Sequence, residues 1–110
     1  MRIAMASLRV FVVDDHESVR KDLCAILASR RDPEICGEAA NVREALAKAT
    51  ALRPRVVVMD VSMPGMDGIT ASREILRADP STAIIILSMH DGRHLVESAR
   101  KIGIRGLSTL

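Results

Sequence analysis

Residues 56–68 read VVVMDVSMPGMDG, and this stretch decides the fold. Its first four residues are apolar and mostly β-branched, and so short a run predicts a strand that is buried on both faces. Asp60 ends the strand, because Pro64 lacks a backbone N–H and biases Met63 toward an extended or turn geometry. A carboxylate therefore lies where a buried strand opens into a loop. That edge of a parallel sheet is where ligands bind, although a lone acid there can equally cap a turn.

Length and composition indicate one globular domain. The chain has 110 residues, of which 48% are hydrophobic and 27% charged, and this balance excludes a disordered or membrane protein. Phe11 is the only aromatic residue, so the chain lacks stacking platforms for bases. The net charge of +2, with both signs interspersed, gives no strong basic field. We therefore expect no direct nucleic-acid binding and no membrane association.

The cysteines and the N-terminus indicate a cytoplasmic protein. Cys24 and Cys36 lack CxxC spacing and a clustered histidine, so they are predicted to be small buried hydrophobic residues in a reducing compartment. Residues 1–7 are predicted to be an N-terminal leader without the apolar run of a secretory signal, and Met5 is an alternative start.

Strands and helices are predicted to alternate strictly along the chain. The predicted strands cover residues 8–13, 34–39, 56–60, 83–87 and 105–108. The first helix has an apolar stripe of Val19, Leu23, Ile26 and Leu27; the second begins at an Asn41–Glu44 capping box and has a stripe of Val42, Ala45, Leu46, Ala49 and Leu52. A third helix follows Gly68 and ends before Asp79-Pro80, and Asp91 caps a fourth that ends near Gly103.

This alternation predicts an α/β fold, a doubly wound parallel sheet with right-handed crossovers and helices on both faces. All strands then end at one edge. Asp14 and Asp15, Asp60, and Ser88 fall at the ends of three different strands, so we expect them to form a cluster there.

Three crowded carboxylates repel one another, which calls for a cation or for protonation of one of them. Mg²⁺ suits this set because it is a hard cation that carboxylates, water and phosphate oxygens bind. Carboxylates also act as nucleophiles that form acyl phosphates, and Asp60 is best placed for that role. Ser88 is then placed to donate a hydrogen bond to a phosphoryl oxygen.

The motifs DDH at residues 14–16 and DVSMPGMDG at residues 60–68, with the apolar strand that ends in Ser88, resemble a response-regulator receiver domain. The resemblance covers residues 8–110, and GEAANVREAL and SMPGMDG are most similar to receivers that precede a helix-turn-helix DNA-binding domain. It implies a flavodoxin-like sheet of five strands in the order 2-1-3-4-5 with four helices, the chain being truncated after the fifth strand and the fifth helix absent.

The resemblance also implies a role for each site residue in a two-component system. Asp60 would be the phosphoacceptor for a histidine kinase, and Ser88 the switch hydroxyl. Mg²⁺ would be bound by Asp15 and Asp60 directly, by Asp14 through water, and by the backbone carbonyl of Ser62. The chain would control a transcriptional output domain that it does not contain, and would be no enzyme beyond its own phosphorylation and slow dephosphorylation.

Two departures from the family pattern concern the C-terminus, residues 103–110 (GIRGLSTL). Leu107 stands where such receivers have an aromatic residue, and Leu110 where they have a lysine that holds the phosphoryl group. Loss of the lysine is expected to weaken phosphoryl stabilisation roughly ten- to a hundredfold. The absent fifth helix would leave an apolar sheet face uncovered, so we expect a homo-oligomer, a swapped element or a fragment of a longer parent.

The sequence allows one alternative function and disfavours two others. A degenerate receiver would act as a protein-binding or dimerisation module with little phosphorylation, because of Leu110. An aspartate-nucleophile phosphatase is disfavoured, since Ser62 occupies the place of its second acid, and a Rossmann dinucleotide site is disfavoured because no G-x-G-x-x-G follows the first strand. The histidines near the acidic edge are interpreted as solvated helix starts, not metal ligands: His16, His90 and His94.

Overall fold

The structure is a computed structural model that describes residues 8–29, 33–60, 68–88 and 106–109. Its strands are β1 (Leu8–Val13), β2 (Pro33–Ala39), β3 (Val56–Asp60), β4 (Ala83–Ser88) and β5 (Gly106–Thr109). Its helices, in the described part, are α1 (Glu17–Ala28), α2 (Val42–Leu52) and α3 (Gly68–Ala78). The predicted fourth helix and the N-terminal leader lie outside the described residues.

The strands form one sheet in the order β2-β1-β3-β4-β5, and every described pair is parallel. This confirms the doubly wound α/β fold and the strand order predicted from the sequence. Three strands differ by one residue from the prediction. β2 starts at Pro33, which an edge strand tolerates as its first residue, β4 includes Ser88, and β5 is shifted to Gly106–Thr109.

The larger part of the core lies between the sheet and α2 with α3. Asn41 caps α2 as predicted: its Oδ1 accepts a hydrogen bond of 2.8 Å from the backbone N–H of Glu44. The α2 stripe is confirmed, since Ala45 and Ala49 are buried and Val42, Leu46 and Leu52 pack against the same cluster. The strand residues of this cluster are Phe11, Val13, Ala39, Val57, Met59, Ile84 and Ile86, and α3 adds Ala71 and Ile75.

The opposite face of the sheet carries a smaller cluster beneath α1. Val10, Val12, Val58 and Leu87 are buried there, and Leu23 and Leu27 of α1 pack against them while staying half-buried. Ile26 is 57% exposed, so its assignment to the α1 stripe was wrong. Adjacent apolar positions on a helix point about 100° apart, and here Leu27 of the pair faces the sheet.

The two cysteines lie on opposite faces of the sheet. Cys24 of α1 packs against the smaller cluster, and Cys36 of β2 packs against the larger one. Both are free and half-buried, and burial raises the pKa of each thiol. They are therefore packing residues, though less deeply buried than the sequence predicted.

Gly37 lets α2 approach the sheet closely. The register between β1 and β2 shifts here, so that Val10 pairs with Ile35 but Phe11 pairs with Gly37. A Cβ atom on Gly37 would lie 2.6 Å from Leu52 Cδ1 and 3.2 Å from Phe11 Cδ1. A side chain at this position would therefore have to displace the end of Leu52 and would press on the Phe11 ring.

Among the described helices, none combines the length and the apolar character needed to cross a membrane.

Candidate functional site

The sheet register brings the ends of β1 and β3 together, as the sequence predicted. Val13, the last residue of β1, pairs with Met59, so Asp14 follows β1 beside Asp60 at the end of β3. Asp60 pairs in turn with Leu87, next to the end of β4. The edge predicted to hold the acidic cluster therefore does hold Asp14 and Asp60, and both are buried, with 0% and 4% exposure.

Asp14 is fixed through its backbone and through one carboxylate oxygen. Its N–H donates a hydrogen bond of 3.0 Å to the carbonyl oxygen of Ala39, and its Oδ1 accepts one of 2.8 Å from the N–H of His16. The other oxygen, Oδ2, is buried without a hydrogen-bond partner among the described residues. A buried acceptor left unsatisfied is costly, so this oxygen marks a place where a ligand or ion would be stabilising.

Burial is the main reason why the pKa of the Asp14 carboxyl is raised above its ordinary value. The backbone N–H of His16 opposes this shift, while the neighbouring carboxyl of Asp60 adds to it. The two carboxyl groups thus share a pocket in which two negative charges are disfavoured.

Asp15 and His16 extend the cluster toward solvent. The Nδ1 atom of His16 lies 2.7 Å from Asp15 Oδ1 and 3.5 Å from Asp14 Oδ1. One ligand atom from each of Asp14, Asp15 and His16 lies within 4.8 Å of the others. His16 does start α1, as its N-cap residue, but its ring lies against the acids. The interpretation of His16 as a solvated helix start is confirmed, since His16 is the N-cap residue of α1 and its side chain is 60% exposed. The contact of its ring with Asp15 was not predicted.

Sequence reasoning also missed Arg20 and Glu38. The guanidinium of Arg20 donates hydrogen bonds of 2.8 Å to the carbonyl oxygen of Asp14 and 3.0 Å to Glu38 Oε1. Because Glu38 lies on β2 and Arg20 on α1, the pair ties the loop that carries the acids to the neighbouring strand. The available signal was a cation in the second turn of α1 opposite an acid near the end of β2.

Several predicted site residues are only partly described or lie outside the described residues. Ser88 is the last residue of β4 and pairs with Thr109, which places its backbone at the same edge. Ser62 and Leu110 lie outside the described residues, as do His90 and His94. Their assigned roles stay predictions.

The donor set at this edge fits Mg²⁺. Asp14, Asp15 and Asp60 supply carboxylate oxygens, which are the ligands that this hard cation takes. The unsatisfied Oδ2 of Asp14 and the raised pKa of its carboxyl are the expected signs of a pocket that a cation would neutralise.

A parallel sheet of this order with an acidic edge defines a flavodoxin-like α/β domain. Comparison with known families shows that residues 10–107 match the response regulator receiver domain. The chain belongs to this family of signalling domains. Receiver domains act as signalling modules in two-component systems, and this confirms the resemblance found in the sequence.

Individual relatives agree with this assignment. The chain is 41% identical over 98 residues to a protein-glutamate methylesterase/protein-glutamine glutaminase of Hahella chejuensis, covering 88% of this chain and 25% of that protein. It is 40% identical over 82 residues to response regulator GacA of Pseudomonas protegens, covering 74% of this chain and 38% of that protein. The chain thus spans a quarter to two fifths of these relatives.

Solved structures give the same result. A two-component response regulator of the LuxR family from Aurantimonas sp. SI85-9A1 superposes with a TM-score of 0.87 and 34% identity, covering 94% of this chain and 74% of that one. This likeness agrees with the predicted resemblance to receivers that precede a DNA-binding domain.

Proposed function

We propose that Asp60 accepts a phosphoryl group from the phosphohistidine of a histidine kinase, and that this controls a transcriptional output domain. The observation that carries the proposal is the proximity of two buried carboxyl groups, Asp14 and Asp60, at the carboxyl edge of the sheet, where Asp14 Oδ2 has no hydrogen-bond partner among the described residues. The family and the LuxR-type relative support the class of reaction and of output. We also propose that the protein is cytoplasmic, because it belongs to the receiver family.

The residues at this edge would have different roles in the transfer. A carboxylate oxygen of Asp60 forms the bond to phosphorus while the phosphorus–nitrogen bond to the kinase imidazole breaks, and the released nitrogen takes up a proton from solvent. Asp15 and Asp60 would hold Mg²⁺ directly with the backbone carbonyl of Ser62, and Asp14 would hold it through water. Bound there, the ion would supply positive charge that offsets the charge of the phosphoryl oxygens.

Phosphorylation of Asp60 would change the charge at the edge and so bias the neighbouring segments. The group adds about −1.5 to −2 charges at pH 7, beside a carboxyl that is already disfavoured as an anion. Ser88, at the end of β4, is the hydroxyl that would move to hydrogen-bond the new phosphoryl oxygens.

The test is incubation of the protein with Mg²⁺ and a small-molecule phosphodonor, followed by intact mass. Wild type should gain one phosphoryl group, Asp60→Asn should gain none, and the exposed-site control Asp22→Asn should behave as wild type. Equal modification of wild type and Asp60→Asn would refute the assignment of Asp60.

The second candidate function is a degenerate receiver that signals by association, which Leu110 in place of the family's lysine favours. We propose that a second copy of the chain docks on the α1 side of the sheet. Leu8 and Ile26 are the exposed large hydrophobic residues of the described region, and both lie on this side, Ile26 on α1 and Leu8 on the strand face of Val10, so each can add apolar contact area. Light scattering at micromolar concentration tests it: a dimer that Ile26→Asp dissociates supports the proposal, and a wild-type monomer contradicts it.

A further inference from the structure

We propose that a cavity between α2 and α3 binds a small carboxylate with an apolar body, and that the guanidinium of Arg53 binds the carboxylate group. The cavity lies at the amino-terminal edge of the sheet, because Arg53 and Thr82 in its wall come just before β3 and β4. This edge is opposite the one that carries Asp60. The inference is therefore independent of the proposed phosphorylation.

The cavity has room for a small ligand and a partly apolar wall. Its volume is about 280 Å³, close to the lower end of the range of about 300 to 1,000 Å³ for ligand pockets. Ala49 of α2 and Ile75 of α3 are buried side chains of the wall, with 8% and 4% exposure. The size and the apolar wall favour a ligand with a compact apolar body, such as a single aromatic ring.

The hydroxyl groups in the wall already donate hydrogen bonds within the protein. Thr50 Oγ1 donates one of 2.9 Å to the carbonyl oxygen of Leu46. Thr82, which is 2% exposed, donates one of 3.3 Å from Oγ1 to the carbonyl oxygen of Pro54. These donors are therefore committed to the backbone.

The two acids in the wall are also committed to neighbouring groups. Glu74 Oε1 accepts a hydrogen bond of 3.1 Å from the Arg77 guanidinium. Asp79 Oδ1 accepts bonds of 3.0 Å from the N–H and 2.6 Å from the hydroxyl of Ser81. Neither acid is thus the natural partner for a cationic ligand.

The guanidinium of Arg53 differs from these groups, because it forms no hydrogen bond with any other residue that the structure describes. The hydrogen bonds of Arg53 are made by its backbone: its N–H donates to the carbonyl oxygen of Ala49 at 2.9 Å, and its own carbonyl oxygen accepts from Arg9 at 3.4 Å. The residue is exposed, so a ligand can approach the guanidinium from solvent. A carboxylate is the group that its two-pronged donor geometry fits best.

The backbone conformation of Arg53 also indicates a role for its side chain. Arg53 is the C-cap residue of α2, with φ 48° and ψ 62°, a left-handed conformation that glycine adopts most readily. Within the described ranges it is the one non-glycine residue with a positive φ. An arginine that occupies a strained position beside a cavity is explained if its side chain binds a ligand there.

The charges around the cavity favour an anion. The two acids are outnumbered by three nearby arginines: Arg53, Arg55 and Arg77. The carbonyl groups at the end of α2 would repel an anion, but those of Leu52 and Arg53 accept hydrogen bonds from the guanidinium of Arg9. The negative end of the helix dipole is thereby offset.

The experiment titrates the full chain with benzoate, which combines one aromatic ring with a carboxylate, and with benzamide, its uncharged isostere. Backbone amide shifts of Ala49, Ile75 and Thr82 are followed by NMR. We expect saturable shifts at these residues and an affinity for benzoate that is about tenfold or more above that for benzamide. Absence of saturable shifts with benzoate, or equal affinity for the two compounds, would overturn the inference.

Arg53→Gly removes the guanidinium without straining the backbone, since glycine adopts a φ near that of Arg53 freely. The variant should keep the fold, which the same spectra show, and lose the preference for benzoate. The control Arg55→Gln removes a charge from the same edge and should keep the preference. If Arg53→Gly does not fold, Arg53→Asn replaces it, because asparagine also tolerates a positive φ. A preference that survives in the Arg53 variant, or that is lost equally in Arg55→Gln, would overturn the inference.

Discussion

Arg20 and Asp14 are joined by a hydrogen bond of 2.8 Å between the guanidinium Nη1 and the backbone carbonyl oxygen. The same guanidinium is oriented by Glu38 on β2, at 3.0 Å from Nε to Oε1. The main chain of Asp14 is thereby held at both ends, since its N–H bonds to Ala39. The position of Asp14 therefore depends on the Arg20 guanidinium, which bonds to the backbone of Asp14.

Arg20→Met should therefore loosen the site as well as destabilise the fold. Loss of a charged hydrogen-bond pair is expected to lower the free energy of unfolding by about 1.5 to 3 kcal/mol. Mg²⁺ affinity should fall by about tenfold, as for other residues that position metal ligands. Chemical denaturation and Mg²⁺ titration measure the two effects.

The matched control is Lys21→Met, because Lys21 is an exposed neighbour whose ammonium group lies 4.0 Å from the Glu17 carboxylate. Equal losses of Mg²⁺ affinity in the two variants would mean that Arg20 acts by its charge alone and does not position Asp14.

Asp14→Asn should stabilise the metal-free protein at neutral pH. Burial raises the pKa of Asp14 above its ordinary value of 3.8, so the folded protein holds this proton more tightly than the unfolded chain does. Stability from this group is thus fully present below about pH 3.8 and is lost as the pH rises through the raised pKa. The amide carries no charge, so the variant should gain about 1 to 3 kcal/mol at pH 7.

Thermal unfolding with a chelator, from about pH 4 to 8, measures this difference. The gain of Asp14→Asn over wild type should grow with pH and shrink when Mg²⁺ is added, since the ion stabilises only the carboxylate. A constant difference across the pH range would show that Asp14 does not titrate there.

Gly37→Ala should destabilise the protein by about 1 to 3 kcal/mol, the usual cost of overpacking. The added Cβ would lie 2.6 Å from Leu52 Cδ1 and 3.2 Å from the Phe11 ring, and only the leucine end can move easily. Urea denaturation measures the loss. In a Leu52→Ala background the same change should cost less, and purely additive effects would contradict the packing explanation.

Leu110→Lys should lengthen the lifetime of the phosphorylated form by roughly ten- to a hundredfold, because a charged hydrogen bond to the phosphoryl group is worth about 1.5 to 3 kcal/mol. Intact mass after removal of the phosphodonor gives the lifetime. Thr109→Lys adds the same charge one residue earlier, on the last residue of β5. An equal gain in that control would assign the effect to net charge instead of the motif position.

Much of the fold follows from hydrophobic patterning. Alternating buried runs and helical stripes predicted the doubly wound sheet, and the common edge of parallel strands predicted that Asp14 and Asp60 meet. The first feature depends on the spacing of apolar residues along the chain, and the second on the rule that parallel strands end at the same edge of a sheet.

What the sequence did not predict is the direction in which particular side chains point, because hydrophobic patterning does not encode it. Ile26 and Leu27 are adjacent and both apolar, so helical periodicity could not tell which of them faces the sheet. The contacts that His16 and Arg20 make with a loop and with another strand were not predicted either. Where such side chains point depends on the packed geometry and not on their spacing in the sequence.

Cys24 and Cys36 lie on opposite sides of the sheet, so the reactivity of each thiol reports on a different helix layer. The alkylation rate of Cys24 would report on the packing of α1, and that of Cys36 on the packing of the α2 layer, each under native conditions. The sheet between them prevents the two sulfur atoms from meeting within one folded molecule. Any disulfide that forms on mild oxidation of the folded protein would therefore record an encounter between two chains.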